Sequence, residues 1–382
     1  MRNLRGLIDH WLGNGQLKIV EGADADADIG AVAEVSGSGA EPPALLFDRI
    51  KGYLEGYRVL INMFQTQCRT AEALGVDDTL RGASLVNAIR KRMEDHKPVP
   101  PKLVMAGPIT EHIQRGKDID VFKFPAPKIH KDDGGKYIGT QDAVITKDQE
   151  GGWVNLGTAR VQVQEPDLVS IYISPGKQTR LIAEQYWTKK QACPVAVVCG
   201  IEPILFAAAS LGLPWGVSEY DFAGNVAGRP FEVVAGEHTG LPIPAHAEIV
   251  LEGEMPPPDV ESRPEGPFGE WRLLCLGYAS GAGHSRQTRV LPQRSYHHCR
   301  WRFEDLSPRQ LPVSAFPLCR NLERARKMRR HRREGCLAAR IRNEILTSHL
   351  AAAALRRPRA SGGTRRIGRP RRRLLGSLRN CG

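Results

Sequence analysis

The 382-residue chain contains no run of about 20 apolar residues, so no membrane-spanning helix is expected. Its N-terminus, Met1-Arg-Asn-Leu-Arg-Gly-Leu-Ile-Asp-His-Trp-Leu, lacks the apolar core and small-residue cleavage site of a secretory leader, and reads instead as a short amphipathic helix. Only three of the eight cysteines precede residue 272. These are Cys68, Cys193 and Cys199, and their unrelated spacings suit reduced thiols of a cytoplasmic protein rather than a disulfide frame. No Walker loop, H-E-x-x-H or zinc-spaced Cys/His cluster occurs before Trp271, which removes the commonest nucleotide and zinc chemistries. Lysine is nearly missing from the last third.

That last shortage marks a boundary. Of the 54 basic residues, 27 follow Trp271, and 26 of those are arginine, against 5 acidic residues. The preceding 271 residues carry 27 basic and 37 acidic groups, a net charge of −10. The overall +12 therefore describes neither part. An arginine run such as Arg326-Lys-Met-Arg-Arg-His-Arg-Arg333 could neutralise nucleic-acid phosphates. A selected nucleic-acid tail usually mixes in lysine and stacking aromatics. Four of the six arginine codons begin CG, so GC-rich DNA read out of frame yields this bias. Shifted by one base, possible codons of the residues after Trp271 read Gly-Tyr-Tyr-Ala-Ser-Gly, and those around Pro292 to Trp301 read Arg-Asn-Asp-Pro-Ile-Ile. Residues 272–382 are thus expected to form a disordered or non-native tail, with nucleic-acid binding the lesser alternative.

The remainder is long enough for one large or two medium domains. Residues 1–105 alternate signals: strands at Gln16–Val20 and Pro43–Asp48, helices over Ala23–Glu34 and Leu85–His96, then a Pro-rich linker, Lys97-Pro-Val-Pro-Pro101. Residues 106–271 are richer in short β-branched runs, at Tyr137–Thr146, Trp153–Gly157, Ala159–Gln164, Leu168–Ile173, Pro194–Cys199 and His246–Gly253. Helices are expected at Gln178–Thr188 and Pro203–Ser210, and a turn at Asp132-Asp-Gly-Gly. The class is α+β with a β-barrel-like middle.

Candidate chemistry centres on Glu265-Gly-Pro-Phe-Gly-Glu270. Glycine and proline stiffen and shape this turn, and two carboxylates held on it can divide the work of proton donor and charged partner. The plain alternative is a surface turn with solvated acids. Arg160, after Asn155-Leu-Gly-Thr-Ala, is either a solvent-facing strand residue or a two-point clamp for a carboxylate. Asn155 and Glu219 offer oxygen ligands suited to a hard divalent ion bridging to phosphate. Ser210, in Ala208-Ala-Ser-Leu-Gly-Leu-Pro, offers a hydroxyl near a helix end.

In order along the chain, Asp132-Asp-Gly-Gly-Lys-Tyr-Ile, Asn155-Leu-Gly-Thr-Ala-Arg160, Ser174-Pro-Gly-Lys, Ser218-Glu219 with Ala223-Gly224, and Pro264-Glu-Gly-Pro-Phe-Gly-Glu270 resemble the UbiD family of prenylated-FMN-dependent decarboxylases. The resemblance runs from about Leu4 to Trp271, and the two frame-shifted strings look like the family's continuation. It implies a small N-terminal α/β domain, a central split β-barrel holding the cofactor, and a C-terminal oligomerisation domain without counterpart in 272–382. It further implies a catalytic trio: Arg160 orienting the substrate carboxylate, Glu265 tuning that arginine, and Glu270 returning a proton after CO2 leaves. The matching metal ligands are Asn155, Gln178 (where many members have His) and Glu219, for Mn2+ or a similar ion, with K+ a further possibility. Cofactor contacts would come from Asn155, Ala159, Arg160, Ser210 and Glu219. The implied partners are a small aromatic, heteroaromatic or α,β-unsaturated carboxylic acid, a flavin prenyltransferase as cofactor supplier, and copies of the chain itself. A catalytically dead flavin- and metal-binding remnant is the alternative within the same resemblance.

Overall fold

The computed structural model describes residues 3–39, 41–94 and 97–269, together with the backbone of three later strands, Cys275–Leu276, Gln287–His297 and Phe303–Glu304. These residues belong to one compact unit, Met1–Glu323, while the second unit, Arg324–Gly382, lies outside the described residues. The arginine run 326–333 is among the latter.

The chain opens with the helix Leu4–Gly13, whose Asn3 side chain accepts from the Gly6 N–H at 2.9 Å and caps it. Leu4, Leu7, Ile8 and Trp11 recur at helical spacing and are all buried. They pack over a small sheet in which Leu17–Glu21 runs parallel to Ala44–Asp48, and Ala44–Asp48 antiparallel to Val59–Ile61. Arg69 is buried beneath this layer. Its guanidinium donates to the carbonyls of Pro42 (2.7 Å), Asn62 (3.0 Å) and Met63 (3.2 Å), backbone groups that otherwise lack a ladder partner.

The second helix differs from expectation. It covers Ile29–Gly37 rather than starting at Ala23, because Asp24 Oδ1 accepts from the N–H groups of Asp26 (2.8 Å) and Ala27 (3.0 Å). That local turn outcompetes helix over 24–28.

The body is a ten-stranded sheet. Its main path runs Tyr137–Gly139, Arg160–Glu165, Leu168–Tyr172, Gln287–His297, Ile249–Met255, Cys193–Cys199, Asp142–Lys147 and Val154–Gly157, with His112–Arg115 and Ser262–Arg263 pairing onto Gln287–His297. The expected single run Tyr137–Thr146 is thus two strands. The core explains the apolar run at 194–199. Ala196 and Val198 enter the cluster shared with the N-terminal layer, whereas Val195, Val197 and Cys199 enter the cluster on the opposite face. A strand buried on both faces has no polar alternation to show. Arg5 fastens the first helix to this body, donating to both carboxylate oxygens of fully buried Glu248 at 2.7 and 3.0 Å.

The architecture is α+β, as expected. The segment 272–382 was expected to stand outside it, yet Gln287–His297 lies inside the sheet, joining Leu168–Tyr172 to Ile249–Met255. Backbone pairing uses the N–H and C=O that every non-proline residue carries, so the strand can form in this composition, although Pro292 within it has no N–H to donate. Among the described residues, no helix is long and apolar enough to cross a membrane.

Candidate active site

Side chains alternate along a strand, so Arg160 and Gln162 share one face of Arg160–Glu165. Register sets Tyr172 opposite Arg160 and Tyr137 opposite Gln162. The Arg160 guanidinium lies 4.1 Å from the Tyr172 ring centroid and 5.0 Å from that of Phe268, within reach of a cation–π contact on each. One of its terminal nitrogens donates to Glu265 Oε2 at 2.8 Å, while its Nε is buried with no hydrogen-bond partner. The other oxygen of Glu265 accepts from the Tyr137 hydroxyl at 2.8 Å. Burial and the adjacent carboxylate push the Tyr137 phenol far up, so it stays a donor.

Two motifs distant in sequence make this geometry. In the turn after Glu265, Gly266 adopts φ 88°, a left-handed conformation that suits glycine, and the Gly266–Pro267 peptide is cis. The Asp132-Asp-Gly-Gly segment clamps that turn from outside. The Gly134 N–H donates to the Pro267 carbonyl at 2.6 Å, and Asp133 accepts from the N–H groups of Gly269 (2.7 Å) and His130 (2.8 Å). A Cβ on Gly134 would overlap the Gly266 carbonyl. Gly134→Ala is therefore expected to cost about 1–3 kcal/mol, read as a lower urea midpoint, and to loosen the Arg160–Glu265 pair. An unchanged midpoint would show that the two segments do not press together. The expected turn residues thus serve the site itself. Glu270 lies outside the described residues.

The second group of candidate residues gathers beside the strand Val154–Gly157. Glu219 is the first residue of the helix Glu219–Ala227, which the left-handed Gly228 ends. It is buried, and one carboxylate oxygen accepts from the Leu156 N–H at 2.8 Å. Burial pushes its carboxyl up to about 8. Asn155 donates its amide nitrogen to Thr179 Oγ1 (2.9 Å) and Thr146 Oγ1 (3.4 Å). Gln178, next to Thr179 at the start of Gln178–Thr188, donates its amide nitrogen to the Leu213 carbonyl at 2.9 Å. With both amide nitrogens committed, each of the three residues is left to offer oxygen, and no cation among the described residues pairs with the buried Glu219 carboxylate. Their chemistry fits a hard divalent ion. A separate group, Cys68, Glu72 and Asp78, brings ligand atoms within 4.8 Å of one another in the N-terminal layer, but Glu72 already accepts from Gln16 (3.1 Å) and Trp11 (2.5 Å).

Ser210 and Ala159 are placed less openly. The Ser210 hydroxyl donates to the Phe206 carbonyl of its own helix at 2.9 Å, and the Ala159 N–H donates to Asp142 Oδ1 at 3.3 Å. Asp142 is a site-adjacent residue that sequence reasoning passed over, as are Tyr137, Gln162 and Asp133. Its signal was an acid inside the apolar run Tyr137–Thr146. Tyr137 and Asp133 stood in the Asp132–Ile138 motif without a role.

Two family profiles match this chain. Residues 8–89 match the N-terminal domain of 3-octaprenyl-4-hydroxybenzoate carboxy-lyase (UbiD), and residues 102–288 match its Rift-related domain. The chain belongs to the UbiD family. It is similar to a pyrrole-2-carboxylic acid decarboxylase from Pseudomonas aeruginosa, with 30% identity over 325 residues, covering 83% of this chain and 61% of the relative. A phenolic acid decarboxylase from Bacillus subtilis is 32% identical over 76% of this chain and 61% of its own length. Among solved structures, an evolved dimeric form of the UbiD-class enzyme HmfF from Pelotomaculum thermopropionicum, in complex with prenylated FMN, superposes with a TM-score of 0.74 at 26% identity, covering 86% of this chain and 73% of that one. The chain spans about three fifths of the length of these curated relatives.

Proposed function

We propose that the chain is, by its site, a reversible non-oxidative decarboxylase of aromatic or heteroaromatic carboxylic acids that uses prenylated FMN. The observation that carries this reading is Arg160. Its guanidinium lies against two rings and is fixed at one nitrogen by Glu265, and its buried Nε has no acceptor among the described residues. A substrate carboxylate supplies the missing acceptor and the missing charge. The decarboxylase names and the prenylated-FMN complex among the relatives support the class; α,β-unsaturated acids extend it.

Arg160 holds the leaving carboxylate in line, and Glu265 keeps the guanidinium from turning away. The Gly/Pro turn and the two aromatic rings bury Glu265 and leave Arg160 partly open. Prenylated flavin, when bound, supplies the sink for the electron pair released with CO2. Glu270 returns the proton. Asn155, Gln178 and Glu219 would hold Mn2+ or a similar ion, which would neutralise cofactor phosphate charge; Ala159 and Ser210 are assigned to the same cofactor. A flavin prenyltransferase would supply that cofactor, and self-association is expected.

The test is CO2 release by the full chain loaded with prenylated FMN, presented with pyrrole-2-carboxylate and with hydroxylated benzoates. Release is expected to stop in Glu270→Gln while the cofactor stays bound. Normal turnover in that variant would remove Glu270 as the proton donor. Cofactor binding with no release from any acid would leave a binding remnant.

A further inference from the structure

Tyr137 has no part in the chemistry proposed for the site, yet it contacts both Glu265 and Phe268, two of the groups against the Arg160 guanidinium. Its hydroxyl donates to Glu265 Oε1 at 2.8 Å, and Gln162 Oε1 stands 3.5 Å from that hydroxyl. Its ring packs edge-on against Phe268, with centroids 4.7 Å apart, and Phe268 in turn faces the Arg160 guanidinium. Gln162 Oε1 accepts from the Gly266 N–H at 3.1 Å, and its Nε2 donates to the Gly134 carbonyl at 3.4 Å. Tyr137 and Gln162 thus face each other across two neighbouring strands of the body, and together they grip both ends of the Glu265–Gly266 peptide.

A glutamate carboxylate can rotate about its last bond, and either oxygen can face a nearby arginine. Here the two oxygens are distinguished. One accepts from Arg160, and the other from a phenol that can only donate to a carboxylate. Both Tyr137 and Glu265 are buried, so solvent does not compete for the bond between them. Without the phenol, Glu265 is free to turn, and Arg160 loses the fixed partner that aims its fork.

We infer that Tyr137 is a positioning residue for the Arg160–Glu265 pair, acting through Glu265 with Gln162 as its anchor on the Gly266 backbone. The inference rests on the reading of Arg160 as the carboxylate clamp, and its test separates the two. Tyr137→Phe removes one oxygen and keeps the ring against Phe268. In the full chain loaded with FMN, calorimetry with benzoate as probe is expected to show binding weakened about tenfold in Tyr137→Phe, and little further loss when the same change is made in Glu265→Gln. A general loss of stability would act equally in both backgrounds, so equal effects overturn the proposal, as does wild-type affinity in Tyr137→Phe.

Arg160→Leu is the control for the clamp. Unchanged benzoate binding there means that the clamp reading has failed, and Tyr137 is then judged without ligand. In arginine-labelled 13C/15N spectra of the flavin-free chain, the Arg160 guanidinium protons are expected to be resolved in the wild type, because the ion pair slows rotation, and averaged in Tyr137→Phe. Identical Arg160 signals in the two proteins overturn the positioning role whatever the ligand does.

Discussion

Glu265→Ala is expected to lower folding stability by about 3–5 kcal/mol, and the double change Arg160→Met/Glu265→Leu to recover the part of that loss due to the unpaired guanidinium while binding no carboxylate. The Glu265 side chain is 1% exposed and that of Arg160 is 16% exposed. Removing the acid leaves a guanidinium whose remaining partners among the described residues are the rings of Tyr172 and Phe268, and it strands the Tyr137 hydroxyl as well. The stranded Tyr137 hydroxyl is fully buried, so water does not repair its loss. Replacing both charges by apolar groups of similar volume removes two desolvation costs together, which is why the pair contributes little net stability although breaking it is expensive. The chemical role is then separable from the structural one. Urea midpoints should order the proteins as wild type, then the double variant, then Glu265→Ala, whereas benzoate binding to the FMN-loaded chain should be lost in both variants. A single variant as stable as the wild type would mean that Arg160 is solvated in the folded chain, and the clamp would fall with it.

What the sequence showed of this site, and what it hid, follows from the range of the interactions. Arg160 and Glu265 stood out because each sits in a motif of constrained residue types, and the fold joins them across 105 positions. The helix Leu4–Gly13 was legible because its buried residues keep one period. Tyr137 was not, because its meaning depends on a strand register and a partner 128 residues away. Val59–Ile61 offers three buried residues, too few to show a period. The start of the second helix was misplaced because helical propensity over Ala23–Asp28 does not register that Asp24 can bond its own following backbone. Gln287–His297 was set aside on composition, which reports side chains, while its place in the sheet is a matter of backbone.

Asp142→Asn is expected to remove that residue's share of the fall in stability between about pH 4 and 7. Asp142 is fully buried at the start of the strand Asp142–Lys147. One oxygen accepts from the Ala159 N–H, the other has no partner, and burial pushes its carboxyl from an ordinary 3.8 up to about 7. The folded chain therefore keeps a proton that the unfolded chain releases. Below about pH 4 both states hold it, and the group adds no penalty. From there to about pH 7 the unfolded state alone ionises, so folding loses about 1.4 kcal/mol per pH unit, and above 7 the loss levels off. The amide of asparagine cannot ionise, but its NH2 finds no acceptor where the second oxygen stood, at a cost of about 1–3 kcal/mol. The wild type should then be the more stable protein near pH 4 and Asp142→Asn the more stable near pH 8, with the urea curves crossing between. Parallel stability curves from pH 4 to 8 would show that Asp142 is ionised throughout, and would require a cation or water at the oxygen that now has no partner.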